Sequence, residues 1–402
     1  MRTFDVPEFY RSPIIGRVKA ARKAADPRKQ DFSPSMLDFG TVRFLLARHF
    51  GFCYGVEHAI EVAYRAISEQ SGRNIFLLSE MIHNPEVNED LQSRGVRFLM
   101  DPDGTPRIPL ESLTSADVVV VPAFGTTLEI SKKLADRGVD LHAYDTTCPF
   151  VEKVWKRSAV LSGSAHTVVI HGKPGHEETR ATFSHAAAEG HALIVKDRPE
   201  AQWLADFLKA PEAYGGDAAF AARFAGRATP GFVWQTHLSR IGVVNQTTML
   251  AAETQEIADL LRAAVTARGG EAANTRDTLC YATNDNQQAT RAALEAGADL
   301  AVVVGGYNSS NTSHLVELCE ERMPTYFIRN ELEFTEGGLR HFDVHAEQHR
   351  ITAAPFPQGP QVPTILLTSG ASCPDASVDR VLQRILVQYP GARTVEEVLA
   401  TV

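Results

Sequence analysis

Short apolar runs, each followed by a polar loop and then a stretch of helical periodicity, recur along this chain and limit its fold more than any other feature. Val118–Val121 is apolar at every position, as a parallel strand buried on both faces requires. Thr167–Ile170, Ala192–Val195, Ile241–Val244, Leu300–Val304, Thr325–Ile328 and Ile365–Leu367 also read as strands, and Phe44–Ala47 and Ile75–Leu78 open the series. Between them apolar residues return at helical spacing, as in Val56, Ile60, Ala63, Tyr64 and Ile67, or Val378, Val381, Leu382 and Ile385. Alternating strands and helices imply an α/β fold with parallel sheets and right-handed crossovers. In such folds the loops after strand C-termini gather at the ligand site. The unusual polar clusters of this chain lie in those loops.

At 402 residues the chain has room for two or three domains. The pattern divides it into an N-terminal arm (1–41), a first α/β domain (42–147), a second (148–276) and a third (277–402). The arm lacks clear periodicity and reads as surface; were it a transit peptide the address would be a plastid, but Asp5, Glu8, Asp26 and Asp31 weigh against that. Residues 197–238, rich in Pro and Gly, read as an irregular insertion with one or two short helices, and 330–361 as a looser segment. The net charge of −9 argues against a nucleic-acid partner. No apolar run reaches about 18 residues, so no membrane span is expected. Five scattered cysteines make no disulfide framework, which points to a reducing cytoplasm.

Three cysteines share one setting. Leu141–Tyr144 reads as a strand, and Val151, Val154, Trp155 and Ala159 as a helix, with Pro149 in its first turn. Cys148 thus falls where a strand ends and a helix begins, and the helix dipole there favours the thiolate that binds metal. Cys53 follows the run Val42–Ala47, and Cys280 precedes a helical stretch. The three read as one cluster site if their loops converge, and as buried small hydrophobes if they do not. Cys319 lies on an apolar helix face and reads as core. Cys373-Pro374 mimics Cys148-Pro149, so spacing does not exclude it as a ligand.

The polar loops carry their own alternatives. Ser309-Ser310-Asn311 follows a glycine pair and opens a helix, and Gly370-Ala371-Ser372 does likewise. Either is a phosphate site or simple N-capping. No Walker lysine pattern is present, which disfavours a nucleoside triphosphate. His83 and His176 each sit after a strand. Glu178 is a proton donor if buried and a solvated loop carboxylate if not.

Taken together, the pieces Gly51-Phe52-Cys53-Tyr54-Gly55-Val56, Ile82-His83-Asn84, Thr147-Cys148-Pro149, Gly175-His176 with Glu178, Gln246-Thr247-Thr248, Cys280-Tyr281-Ala282-Thr283, Asn308-Ser309-Ser310-Asn311 and Gly370-Ala371-Ser372 resemble the LytB/IspH family, in the family's order. The arm and the 197–238 insertion resemble the family's longer form. Shorter members carry Ala-His-Gly where this chain has Ala123-Phe124-Gly125, and there too it resembles the longer form.

The resemblance implies three similar α/β domains with small parallel sheets around a pseudo-threefold axis. It implies one central 4Fe–4S cluster with three Cys ligands: Cys53, Cys148 and Cys280. It implies a diphosphate pocket from His83, Ser309, Ser310, Asn311 and Ser372, with His176 lining the site and Glu178 and Thr247 delivering a proton. The implied reaction is reductive dehydroxylation of 4-hydroxy-3-methylbut-2-enyl diphosphate to isopentenyl and dimethylallyl diphosphate. The implied partner is an external one-electron donor such as ferredoxin or flavodoxin. Competing readings are another iron–sulfur reductase or dehydratase, a cluster-bearing redox sensor, and a structural zinc protein. The phosphate loops and Glu178 count against the sensor, which needs neither.

Overall fold

The computed structural model describes residues 4–275 and 278–401. The chain is α/β, with several small, mainly parallel sheets. It divides into two compact units: Met1–Glu57 with His83–Glu89 and Tyr281–Val402, and His58–Ile82 with Asp90–Cys280. The contiguous segments expected from the sequence do not coincide with these units. The reason is one pairing: Arg43–Leu46 lies parallel to Thr364–Ser369, so a strand near the start belongs to the sheet of the chain's last third. The boundary expected between 276 and 277 lies outside the described residues.

The first unit is built on a five-stranded sheet. Its order is Ser35–Asp38, Arg43–Leu46, Thr364–Ser369, Leu300–Val304, Thr325–Ile328. Only the first strand is antiparallel. Leu300–Val304 is buried at every position, as its unbroken apolar run requires. Helix Asp375–Leu386 packs Val378, Val381, Leu382 and Ile385 into the same core, so the helical spacing read from the sequence is the buried face.

The N-terminal arm is not a surface appendage. Ser12 caps helix Pro13–Ala25 by accepting from Ile15 N–H at 2.8 Å, and its hydroxyl donates to the Asp379 carboxylate. Ile14, Ile15 and Val18 are buried in the unit's core. Each such side chain contributes about 1.5–3 kcal/mol of burial free energy. Residues 330–361, expected to be loose, contain a three-stranded antiparallel sheet, Phe334–Thr335, Gly338–Asp343 and Gln348–Thr352.

The second unit carries two parallel sheets. One has the order Arg97–Phe98, Ile75–Leu77, Val118–Val120. The other runs Ala192–Val195, Thr167–His171, Arg240–Asn245, Glu271–Ala272. The 197–238 stretch is more regular than its composition implies. It forms helices Arg198–Lys209, Gly216–Arg223 and Trp234–His237, and Phe207, Phe220, Phe224 and Trp234 fill one core with Leu193 and Val243. The Pro and Gly residues there punctuate helices rather than prevent them.

Candidate functional site

In the second unit, Glu178 and Cys280 are tied together through Thr247, and Cys148 stands at the C-terminal edge of a sheet, where Glu178 acts on its charge. Leu141–Tyr144 is not a strand. The segment reaches the sheet only at Asp145, which bridges Val121 in parallel. Thr146 N–H donates to the Val121 carbonyl at 3.1 Å and Cys148 N–H to the Ala123 carbonyl at 3.0 Å. Cys148 is therefore held at the sheet's C-terminal edge, and it is the N-cap of helix Pro149–Gly163. Burial pushes its thiol pKa up, while the backbone N–H groups of Phe150 and Val151 pull it down. A partly enclosed sulfur at the N-terminus of a helix suits a metal-bound thiolate, whose charge the metal neutralises.

Glu178 is the second element. It is 1% exposed, so it is no solvated loop carboxylate. Its Oε1 accepts Thr247 N–H at 2.6 Å and its Oε2 accepts the Thr247 hydroxyl at 3.0 Å. The Thr247 carbonyl in turn accepts the N–H of Cys280, at 3.1 Å. One threonine thus bonds the buried acid on one side and the backbone of a cysteine on the other. Cys280 immediately precedes helix Tyr281–Ala296. Gln246 fixes the two loops against each other. Its Oε1 accepts Lys173 N–H at 3.1 Å and the Thr179 hydroxyl at 3.0 Å. His176 caps helix Glu177–Glu189, its Nδ1 accepting Glu178 N–H at 3.2 Å. That leaves the ring proton on Nε2, a donor for an anionic oxygen. The Phe124 ring meets His176 edge-on, with centroids 5.4 Å apart.

In the first unit, the residues expected to bind phosphate come together. Ser309 is the N-cap of the helix Ser310–Glu320. The Ser372 hydroxyl lies 3.4 Å from the Ser309 hydroxyl and donates to the His83 carbonyl at 3.2 Å. Asn308 Nδ2 lies 3.2 Å from His83 Nδ1, which again leaves Nε2 of the histidine as a donor. Asn311 Oδ1 accepts Ala371 N–H at 2.9 Å and so ties the two serine loops. Gly306 permits the close approach, since a Cβ there would collide with the His83 carbonyl. Hydroxyls, an imidazole and the positive end of an eleven-residue helix are groups from which an anion site can be built. Cys53 is also in this unit. Its N–H donates to the Ala371 carbonyl at 3.2 Å, and helix Tyr54–Glu69 follows it.

The remaining cysteines differ in kind. Cys319 is inside a helix and fully buried, its thiol pushed up to about 12 by burial. Cys373 is fully buried in the core beside Val378, and burial raises its thiol as well. The likeness of the two Cys-Pro pairs is superficial. Cys148 is the N-cap with Pro149 at the first helical position, whereas Pro374 itself is the cap and Cys373 precedes it. Cys53, Cys148 and Cys280 are each only part-buried.

Sequence reasoning assigned no role to Glu177, Asn286 or Asn308, although Asn308 stands in the motif Asn308-Ser309-Ser310-Asn311. Glu177 is buried and accepts the Ser79 hydroxyl at 2.9 Å. The Asn286 amide lies 3.3 Å from that of Asn311. A signal existed: Thr283, Asn286, Gln287 and Thr290 repeat at helical spacing directly after Cys280, and all four are buried. A polar stripe of that period reads equally well as a solvated face.

The model of the LytB protein family matches residues 44–386. The chain belongs to the LytB family. Among curated LytB relatives, the 4-hydroxy-3-methylbut-2-enyl diphosphate reductase of Parasynechococcus marenigrum (strain WH8102) is 38% identical over 361 residues, 87% of each chain. That of Synechococcus sp. (strain RCC307) is 40% identical over 356 residues, 86% of this chain and 84% of the relative. Solved structures share the LytB fold. The reductase from Plasmodium falciparum superposes with a TM-score of 0.61 at 20% identity, covering 86% of this chain and 88% of that one.

Proposed function

We propose that this LytB chain is a 4-hydroxy-3-methylbut-2-enyl diphosphate reductase, the terminal enzyme of the non-mevalonate pathway. The observation that carries the reading is likeness to reductases of that name over 87% of the chain. The reaction takes the substrate's hydroxyl group, two electrons and two protons to one C–H bond and one water. Isopentenyl or dimethylallyl diphosphate results, according to which end of the allyl unit receives the proton.

Cys53, Cys148 and Cys280 would hold one 4Fe–4S cluster. The donor set fits. Each cysteine stands directly before a helix and is part-buried, and the chain's other two thiols are core groups with raised pKa. When bound, the cluster supplies single electrons and a Lewis-acidic iron. The protein's residues supply binding, order and protons. Ser309, Ser310, Asn311, Ser372 and His83 take the diphosphate on hydroxyls, amide and the helix N-terminus. His176 lines the reacting end with its Nε2 donor. Glu178 holds the proton that ends on carbon, and the Thr247 hydroxyl, 3.0 Å from Glu178 Oε2, relays it.

No helix among the described residues is long and apolar enough to cross a membrane. Electrons come from an external one-electron carrier such as ferredoxin or flavodoxin, and a cytoplasmic location fits the scattered cysteines. The test is an anaerobic assay with a strong chemical reductant, following both diphosphate products. Turnover of this substrate is the expected result. A cluster-loaded protein that binds the substrate and leaves it unreduced would turn the reading to a redox sensor.

A further inference from the structure

The first unit contains a cavity of about 650 Å³ in which His83, Ser309, Asn311 and Ser372 take no part. One wall is helix Pro13–Ala25 with the turn before it, and another is the unbroken segment 48–54. The helix is about 20 Å long at 1.5 Å per residue, and the cavity's chemistry changes along it. Toward the helix N-terminus the wall is aromatic. Phe4 meets Tyr54 edge-on with centroids 4.8 Å apart, and Tyr10 meets Phe52 at 5.7 Å. Toward the C-terminus it is cationic, with Lys23, Lys29 and Arg48. Arg48 is fixed at that end by its own contacts, since its Nη2 donates to the Arg22 carbonyl at 3.4 Å and lies 3.7 Å from Asp26.

The cationic end is under-compensated. Arg48 is only 8% exposed, yet its Nε has no hydrogen-bond partner, and Asp26 at 3.7 Å is too distant for a good bidentate pair. A buried guanidinium donor without an acceptor is costly, and an anionic oxygen is what satisfies it. Lys23 and Lys29 are exposed and make no ion pair among the described residues. Lys19 is different, being engaged by Asp375 and by the Phe50 carbonyl, each at 2.7 Å. Three further carboxyls line the cavity: Glu8, which lies 3.5 Å from Arg11, Glu57 and Asp285. Burial raises the pKa of Glu57 and Asp285, and Lys19 works against that rise at Glu57. The volume lies within the roughly 300–1,000 Å³ of small-molecule sites.

We propose that this trough binds an elongated phosphate ester with an apolar tail, its head on Arg48, Lys23 and Lys29 and its tail along Tyr10, Phe52 and Tyr54. A prenyl diphosphate and a single-chain lipid phosphate share that chemistry. His83, Ser309 and Ser372 do not line the trough, while Cys53 and Asn286, whose amide lies 3.3 Å from that of Asn311, do, so it offers a second binding event beside the reductase site rather than a second substrate position.

The test is calorimetric titration of the anaerobic holoenzyme, without reductant and with the reductase substrate saturating its own pocket. The probes are geranyl diphosphate, dodecyl phosphate and inorganic diphosphate. We expect one equivalent of at least one ester to bind, and the tighter of the two identifies the source. The double variant Lys23→Glu/Lys29→Glu should weaken that ester about tenfold or more, as loss of charge-assisted contacts to an anion implies. Three results would each overturn the proposal: neither ester binds, the charge reversal leaves affinity unchanged, or inorganic diphosphate binds as tightly as the esters. If the reductase reading itself fails, the same comparison of wild type and charge-reversal variant, repeated with that substrate left out, still reads the trough.

Discussion

Replacing Glu178 by Gln is the sharpest perturbation of the proton route. The carboxylate accepts two donors from one residue, Thr247 N–H at 2.6 Å and Thr247 O–H at 3.0 Å. Gln keeps the length and one carbonyl oxygen. That oxygen still accepts the fixed N–H, and the hydroxyl rotates to accept from the new NH₂. The structural loss is then the charge assistance of one or two hydrogen bonds. Bonds to charged groups contribute about 1.5–3 kcal/mol against about 0.5–1.5 for neutral ones, so about 1–2 kcal/mol of stability should go. A domain stable by about 5–15 kcal/mol remains folded after that loss. The chemical loss is larger, because the amide holds no transferable proton. General acids contribute about 10²–10⁴-fold, which is about 2.7–5.4 kcal/mol of barrier. Since the proton moves only as the reaction proceeds, kcat should fall by that factor while substrate affinity changes little. Anaerobic single-turnover measurements with a strong chemical reductant separate this from electron delivery. Wild-type single-turnover rates in Glu178→Gln would leave the residue a buried structural carboxylate and remove it from the proton route.

Thr247→Val removes the hydroxyl and keeps the backbone bond to Glu178, so single-turnover rates should fall less than in Glu178→Gln, and Thr247→Ser should restore them. If Ser fails to rescue, the hydroxyl is not the relay. Asn311→Ala leaves the Ala371 N–H without its acceptor, a cost of about 1–3 kcal/mol, and should raise KM for the diphosphate more than it lowers kcat; a reversed split would move Asn311 out of the phosphate site. Bound substrate should slow loss of iron in air, because occupancy of the native site stabilises it; equal loss rates with and without substrate would contradict binding beside the cluster. A fourth expectation concerns pH. Burial first, and then the nearby Arg48, Lys29 and Lys19, push the His49 imidazole down to about 4 from 6.5. The unfolded chain therefore binds a proton there that the folded chain refuses between those values, so stability should be complete above 6.5 and decline as pH falls toward 4. His49→Gln should flatten that limb of a urea-denaturation series, and an unchanged slope would refute the assignment.

The strand core was legible because an unbroken apolar run such as Leu300–Val304 has few other uses in a chain with flanking helical periods. That the Ser309 and Ser372 loops follow strands was legible for a related reason: each comes just after an apolar run, at a glycine. What escaped depended on long-range pairing. Nothing local marks Arg43–Leu46 as a neighbour of Thr364–Ser369, and that pairing redraws the units. In the arm, Ser12-Pro13 was a helix-start signal, yet only Ile14, Ile15 and Val18 follow as apolar positions, too few to show a stripe without the Asp375–Leu386 helix they pack against. Leu141–Tyr144 misled in the other direction, since it looks like a strand but only Tyr144 is buried. Glu178 was undecided for want of burial, a property the contact with Thr247 supplies and the sequence does not.

Iron and acid-labile sulfide per chain, measured on protein purified without oxygen, test the central claim most directly. Wild type, Cys319→Ser and Cys373→Ser should carry a full 4Fe–4S complement, and Cys53→Ser, Cys148→Ser and Cys280→Ser should each lose it while remaining folded. A full complement in Cys148→Ser, or zinc without iron in the wild type, would contradict the account.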